Sequence, residues 1–155
     1  MNIISSMAAT KKRRHFMAGI LFVLYFIVLF YFLFFSEEMG RTYSERAYHY
    51  NLTLFKEISR FFKYSRALGA KAVMLNIWGN VAAFVPFGIF LPIFSVRCQK
   101  LWRTAMYSFE LSLLVEVLQL VTKVGSFDVD DLLLNTVGGI LGLLIYKLAV
   151  HFLKS

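Results

Sequence analysis

The sequence predicts an all-α membrane protein with four transmembrane helices and an interfacial amphipathic helix between the first and the second. Of its 155 residues 59% are apolar, whereas a soluble domain averages about 45–50%. The 17 Phe and 8 Tyr suit a bilayer and its interfaces. The apolar residues form long runs with basic residues between them, so the net charge of +8 is typical of membrane loops rather than of a nucleic-acid surface.

The first predicted transmembrane helix covers residues 16–35, an uncharged run of the length that the hydrocarbon core requires, about 20 residues. The segment 1–15 is predicted to be a cytoplasmic basic N-terminus, since it carries Lys11, Lys12, Arg13 and Arg14. The apolar run is too long for a signal peptide, and Ser36-Glu37-Glu38 is not a small-residue cleavage site. We therefore expect this helix to stay uncleaved.

The segment 36–70 is too charged to span a membrane and is predicted to lie on its surface. Its apolar residues recur at helical spacing, with charged residues toward the other side. The apolar set is Leu54, Phe55, Ile58, Phe61 and Phe62, and the charged set is Lys56, Glu57, Arg60 and Lys63. An interfacial helix and a solvated loop with a short helix are both compatible with this pattern.

The remainder, residues 71–153, is predicted to form one domain of three transmembrane helices, at about 72–96, 104–122 and 132–153. Pro86 predicts a kink in the first of them. The last contains Gly138, Gly139 and Gly142, small residues that allow helix backbones to approach closely.

Basic residues near the helix ends predict the orientation. The N-terminal tetrad and the turn at 97–103 are basic, whereas the short loop at 123–131 carries only Lys123. The 36–70 segment is also basic, so the total Lys and Arg counts of the two sides, nine against eight with Lys71 included, do not decide the orientation. The short segments near the helix ends favour a cytoplasmic N-terminus. Both termini are therefore predicted to lie in the cytoplasm, and the protein in the cell membrane.

Polar residues inside the spans form the candidate site. An acid near the centre of a span costs about 2.5–3.5 kcal/mol on insertion scales, so it needs a reason to be there. Ser108, Ser112, Glu116, Gln119 and Lys123 recur every three or four residues and form one stripe, while Glu110 lies off it. With this topology the outer ends of three helices bring together eight candidate binding residues: Asn76, Asn80, Ser112, Glu116, Gln119, Asp128, Asp131 and Asn135. Polar packing between helices is the alternative.

Three sequence blocks occur in order at these positions. They are Asn76-Ile-Trp-Gly79-Asn80-Val-Ala-Ala-Phe84-Val-Pro86-Phe87-Gly88, then Ser112, Glu116 and Gln119 in a Ser-xxx-Glu-xx-Gln pattern, then Phe127-Asp128-Val-Asp130-Asp131-Leu-Leu-Leu-Asn135-Thr-Val-Gly138-Gly139. Together they resemble the VanZ-like membrane proteins, from residue 71 to about residue 150. Upstream, Asn51-Leu-Thr-Leu-Phe55 is similar to an Asn-Leu-x-Pro-Phe element of that family, with Leu54 where proline often stands.

The resemblance implies a cell-envelope role in Gram-positive bacteria, because the family's name member is associated with low-level resistance to the glycopeptide teicoplanin. It implies no reaction, so whether the protein is an enzyme stays open. One hypothesis is a protein that binds a glycopeptide or a lipid-linked cell-wall component, with Tyr43, Tyr48 and Tyr50 at the rim. A second is a small enzyme acting on a lipid headgroup or lipid-linked sugar, with Glu116 or Asp131 as acid or base. A third is a structural membrane subunit.

Cofactor and metal signatures are weak. The sequence has no glycine-rich phosphate loop and no recognisable nucleophile motif. His15, His49 and His151 lack the spacing of zinc ligands. The carboxylates leave Mg²⁺ or Ca²⁺ open, but no metal ligand is assigned. The predicted partners are membrane lipids and either a glycopeptide or a lipid-linked cell-wall component. Nucleic acid is not expected as a partner.

Overall fold

The computed structural model describes residues 3–35, 48, 50–64 and 74–154. In chain order its elements are α1 (Ile3–Phe35), β1 (Tyr50–Asn51), α2 (Lys56–Lys63), α3 (Gly79–Phe94), α4 (Leu101–Thr122), β2 (Phe127–Asp128) and α5 (Val129–Lys154). A π-helical turn, Met74–Trp78, leads into α3, and a 3₁₀ turn, Val96–Gln99, follows it.

Four helical stretches are long and apolar enough to cross a membrane: His15–Phe35, Asn76–Phe94, Leu101–Thr122 and Val129–Leu153. This confirms the all-α fold class with four transmembrane helices. The first helix starts earlier than its apolar run, because Lys and Arg are good helix formers and the helix continues through the basic N-terminal stretch. The second span enters through the π-helical turn, and residues 71–73 lie outside the described part.

The predicted amphipathic segment is described only at 48 and 50–64, so Tyr43 and the residues at 36–47, 49 and 65–70 lie outside the described residues. Its helix, α2, spans two turns. Phe61 is buried, while Lys56, Arg60 and Lys63 are exposed. Leu54 and Phe55 of the predicted apolar set are exposed as well, so the amphipathic character of α2 and its position on a membrane surface both stay predictions.

A pairing that the sequence pattern did not predict connects this segment to the helical domain. β1 pairs with β2 in parallel, with Tyr50 opposite Phe127 and Asn51 opposite Asp128. The two strands are only two residues long. They hold the 50–64 segment against the start of α5.

α5 is the central helix of the domain, packing most extensively on α3 and next on α4. α1 lies against both neighbours of α5. Its Leu29, Leu33 and Phe34 form a buried cluster with Val115 of α4. Its Tyr25 hydroxyl donates to the Ala83 carbonyl of α3 at 2.8 Å.

Glycines set the distance between α3 and α5. A Cβ at Gly88 of α3 would overlap the carbonyl oxygen of Gly139, and a Cβ at Gly142 would overlap that of Val85. A Cβ at Gly138 would likewise overlap the Val81 carbonyl oxygen. A Cβ at Gly139 would instead overlap the Ser108 hydroxyl of α4. Gly88 thus completes, from the opposite helix, the packing face that the α5 glycines predict.

Gly88→Ala is expected to lower the free energy of unfolding by about 1–3 kcal/mol, because the added methyl forces α3 away from α5. Gly19→Ala is the matched control, since a Cβ at Gly19 of α1 meets nothing within 4 Å. The free energy of unfolding of Gly19→Ala should equal that of the wild type or exceed it by up to about 1 kcal/mol, because Ala has the higher helix propensity. Thermal unfolding in detergent measures both variants. Equal stability of the two would contradict the close α3–α5 contact.

Candidate functional site

A buried polar stripe runs along α4. Its members recur every three or four residues and are at most 2% exposed: Thr104, Ser108, Ser112, Glu116 and Gln119. Thr104 extends the predicted stripe toward the start of the helix. Lys123, the predicted far end, is exposed, with its Nζ 4.7 Å from the centre of the Tyr48 ring.

The stripe is matched by small and polar groups on the neighbouring helices. Asn135 of α5 donates from Nδ2 to the Ser112 hydroxyl at 2.8 Å. Gln119 donates to the Leu33 carbonyl of α1 at 2.8 Å, so it faces α1 rather than the acids. Within the described part of the chain, the Ser108 hydroxyl and the side-chain Oδ1 of Asn135 are buried without a hydrogen-bond partner.

Glu116 and Asp128 connect α4 to the strand pair. Glu116 Oε2 accepts a hydrogen bond from the Asp128 main-chain N–H at 2.8 Å. The Asp128 carboxylate accepts from Asn51 Nδ2 at 3.1 Å and from the Asp130 N–H at 2.8 Å. Both acids are buried. Much of their hydrogen-bonding capacity therefore goes to the loop that links α4 with α5 and to β1.

Asp130 caps a helix other than its own. Its carboxylate accepts from the N–H groups of Phe55, Glu57 at 2.8 Å and Ile58 at 3.2 Å, at the start of α2. Phe55 adopts the left-handed conformation at φ 63° and offers no side-chain cap. An anion at this helix end satisfies otherwise unpaired N–H groups and complements the helix dipole.

Asp130 was not among the predicted site residues. A residue that is both acidic and in the first turn of α5 signals ordinary helix capping. Nothing in the sequence shows that its 1%-exposed carboxylate reaches a helix more than 70 residues earlier, since Glu57 lies 73 positions away.

Asp131 joins α5 to α3 and remains accessible. It accepts a hydrogen bond from Asn80 Nδ2, and its side chain is half-buried. Asn76 is half-buried in the π-helical turn and makes no side-chain hydrogen bond to the other predicted site residues that the structure describes. The structure therefore connects Asn80 with Asp131, Glu116 with Asp128 and Ser112 with Asn135, and leaves Asn76 and Gln119 apart from them.

Burial, hydrogen bonds and neighbouring acids all act on the carboxyl group of Asp128. Burial raises the pKa of Asp128, hydrogen bonds from the Asp130 N–H and from Asn51 oppose that rise, and the charges of Asp130 and Glu57 add to it. Glu57 itself pairs with Arg60 at 3.0 Å. Among the described residues, no group of three or more His, Cys, Asp and Glu side chains is arranged to hold a metal ion.

Comparison with known proteins gives one family and one curated relative. The model of the family described as VanZ/LLP1 matches residues 22–150. Protein VanZ of Enterococcus faecium is 38% identical over 72 residues, which are 45% of this chain and 43% of that protein. The matched region is thus less than half of the relative's length. No solved structure matches this chain.

Asp130→Ala is expected to release α2, because three N–H groups lose a charged acceptor, and charged hydrogen bonds contribute about 1.5–3 kcal/mol each. Limited proteolysis within residues 50–64 should become at least about tenfold faster. Glu57→Ala is the matched control, since it keeps the main-chain N–H that donates to Asp130 and removes an i,i+3 surface pair that contributes about 0–1 kcal/mol. Equal cleavage rates in the two variants would show that Asp130 does not hold α2.

Asp128 is expected to make stability depend on pH. Its folded pKa is raised above 3.8, so the stabilisation is fully present below that value and is lost as the pH rises through the folded pKa. Between about pH 4 and about pH 7 the unfolding free energy of the wild type should fall relative to that of Asp128→Asn. Denaturant unfolding at several pH values measures the difference in unfolding free energy between the two proteins. The contributions of the other acids cancel in this difference. A rise in the unfolding free energy of the wild type relative to that of Asp128→Asn would contradict a raised pKa of Asp128.

Proposed function

Because the chain belongs to the VanZ/LLP1 family, we propose that it contributes at the cell envelope to low-level resistance to glycopeptides such as teicoplanin. The proposed action is binding of a lipid-linked cell-wall component at the membrane surface. The curated relative bears the VanZ name, and four spans carry this chain through a membrane. Both findings support a membrane protein of this type.

The observation on which the binding proposal rests is the position of Asp131. Asp128 and Asp130 accept main-chain N–H groups and are buried, so they serve the fold. Asp131 lies in the first turn of α5, half-buried, with Asn80 beside it. It is therefore the acid of the loop 123–131 that a ligand at the membrane surface reaches most directly.

Aromatic side chains at the same end of the helix bundle support a ligand with both polar and apolar parts. Tyr48 is 60% exposed, and Tyr50, opposite Phe127 in the strand pair, is 67% exposed. Tyr presents an apolar ring and a polar hydroxyl, a combination that suits the membrane–water interface. These two residues belong to the rim proposed for the site.

The chemistry of the site favours a ligand rich in hydrogen-bond donors. Ionised carboxylates are acceptors only, and an amide such as that of Asn80 adds one acceptor and two donors. The hydroxyl and amide groups of a glycan–peptide headgroup supply such donors, while its lipid anchor would lie along the apolar helices. The basic flanks of the helices support placing this end on the outer side of the membrane.

Asp131→Asn is expected to leave expression and folding near wild type and to abolish the envelope phenotype, because Asn can still accept from Asn80 but carries no charge. Glu116→Gln should also fold near wild type, since Gln retains an acceptor for the Asp128 N–H, and should lose the phenotype because the charge behind the Asp128 loop is removed. Susceptibility to teicoplanin measures the phenotype, in a strain lacking the chromosomal copy. The matched control is Glu110→Gln, the same change on α4 outside the site, which should keep the phenotype.

Full activity of Asp131→Asn and Glu116→Gln at normal abundance would remove the proposed binding role and leave these residues as structural packing. Loss of folding is scored separately, by abundance and thermal stability in detergent. If only Glu116→Gln unfolds, Asp131→Asn alone decides the question, because its side chain is the more accessible of the two.

A further inference from the structure

Glu110 is an acid on the outer surface of a membrane-spanning helix. It is exposed, while the polar stripe of α4 lies on the buried side. Its carboxylate makes no ion pair or hydrogen bond with any residue that the structure describes. It takes no part in the site at the end of the bundle.

The depth of Glu110 is close to the middle of the membrane. It is nine residues from Leu101 and twelve from Thr122, about 14 Å and about 18 Å along the helix. Its neighbours on the exposed surface of α4 are apolar or aromatic: Met106, Tyr107, Leu113, Leu114 and Val117. Lipid tails offer no donor to a carboxyl group there, and the short Glu side chain cannot extend to the interface as Lys or Arg can.

The described part of the same chain supplies no basic partner at this depth. Arg103 lies seven residues nearer the start of α4, and Lys123 lies beyond its end. On α5, the contacts of Ser108 with Gly139 and of Ser112 with Asn135 set the relative depth of the two helices. Continuing this register places Lys147 level with the turn before α4, far from Glu110.

We propose that this face of α4 is the interface of a symmetric homodimer in the membrane, with Glu110 of one copy hydrogen-bonded to Glu110 of the other. Two copies inserted in the same orientation and related by a two-fold axis along the membrane normal bring identical residues to the same depth. A protonated carboxyl group both donates and accepts. The pair is therefore self-complementary, and the apolar side chains around it pack across the interface.

The test measures association of the full chain in lipid vesicles, by single-molecule photobleaching of a fluorescent C-terminal fusion over a range of protein-to-lipid ratios. Glu110→Leu should weaken the dimer at least about fivefold, because the hydrogen bonds between the copies are lost. Glu110→Gln should change it less than about twofold, since amides also donate and accept. The Leu variant remains compatible with folding, as its side chain faces lipid in a monomer.

Cysteine cross-linking in membranes locates the face. In a Cys98→Ser chain, Leu114→Cys lies one turn from Glu110 and should form disulfide-linked dimers. Leu24→Cys, exposed on α1, is the control and should not. A monomer at all ratios, or equal association of the Leu variant and the wild type, would overturn the proposal. Cross-linking of Leu114→Cys to a different protein, with a basic residue of that protein beside Glu110, would also overturn it and assign the face to a heterologous subunit.

Discussion

Polar groups that enter or border the hydrocarbon layer have to find partners within the protein, because lipid offers none and an unpaired group costs several kcal/mol. In this chain the carboxylates at one end of the bundle meet that requirement. Glu116 accepts the N–H of Asp128, and Asp130 accepts the N–H groups at the start of α2. These contacts determine where the loop between α4 and α5 lies and where the 50–64 segment attaches. The same acids therefore shape the surface at which we propose ligand binding.

The glycine contact between α3 and α5 is the second constraint, and it is connected to the first. Gly88, Gly138 and Gly142 allow the two backbones to touch. Only at such a distance can the short side chains of Asn80 and Asp131 form a hydrogen bond between the helices. A wider separation would leave Asp131 without this donor. Close packing in the middle of the membrane thus positions a polar pair at its edge.

Four of the acids that the structure describes illustrate three physical situations. Asp128 and Asp130 are buried and accept main-chain N–H groups, and Asp128 also accepts from the Asn51 side chain, which is a structural arrangement. Asp131 is accessible beside an amide, which suits ligand binding. Glu110 is exposed on a lipid-facing surface, which suits contact with another chain. A carboxylate in a membrane protein is therefore informative only together with its depth, its burial and its donors.

The four spans, the polar stripe of α4 and the glycine face of α5 could be predicted from the sequence, because hydropathy and helical periodicity are properties of a single segment. The sequence also placed Asn80, Glu116, Asp128 and Asp131 at neighbouring helix ends, and the structure connects them in two pairs, Asn80 with Asp131 and Glu116 with Asp128. The sequence did not reveal the β1–β2 pairing, the capping of α2 by Asp130 or the contribution of Gly88. Each of these depends on groups from distant segments; Asn51 and Asp128, for example, are 77 positions apart. Only tertiary packing decides which donor meets which oxygen, because that choice is made by the distance and direction between helices, which no local pattern encodes.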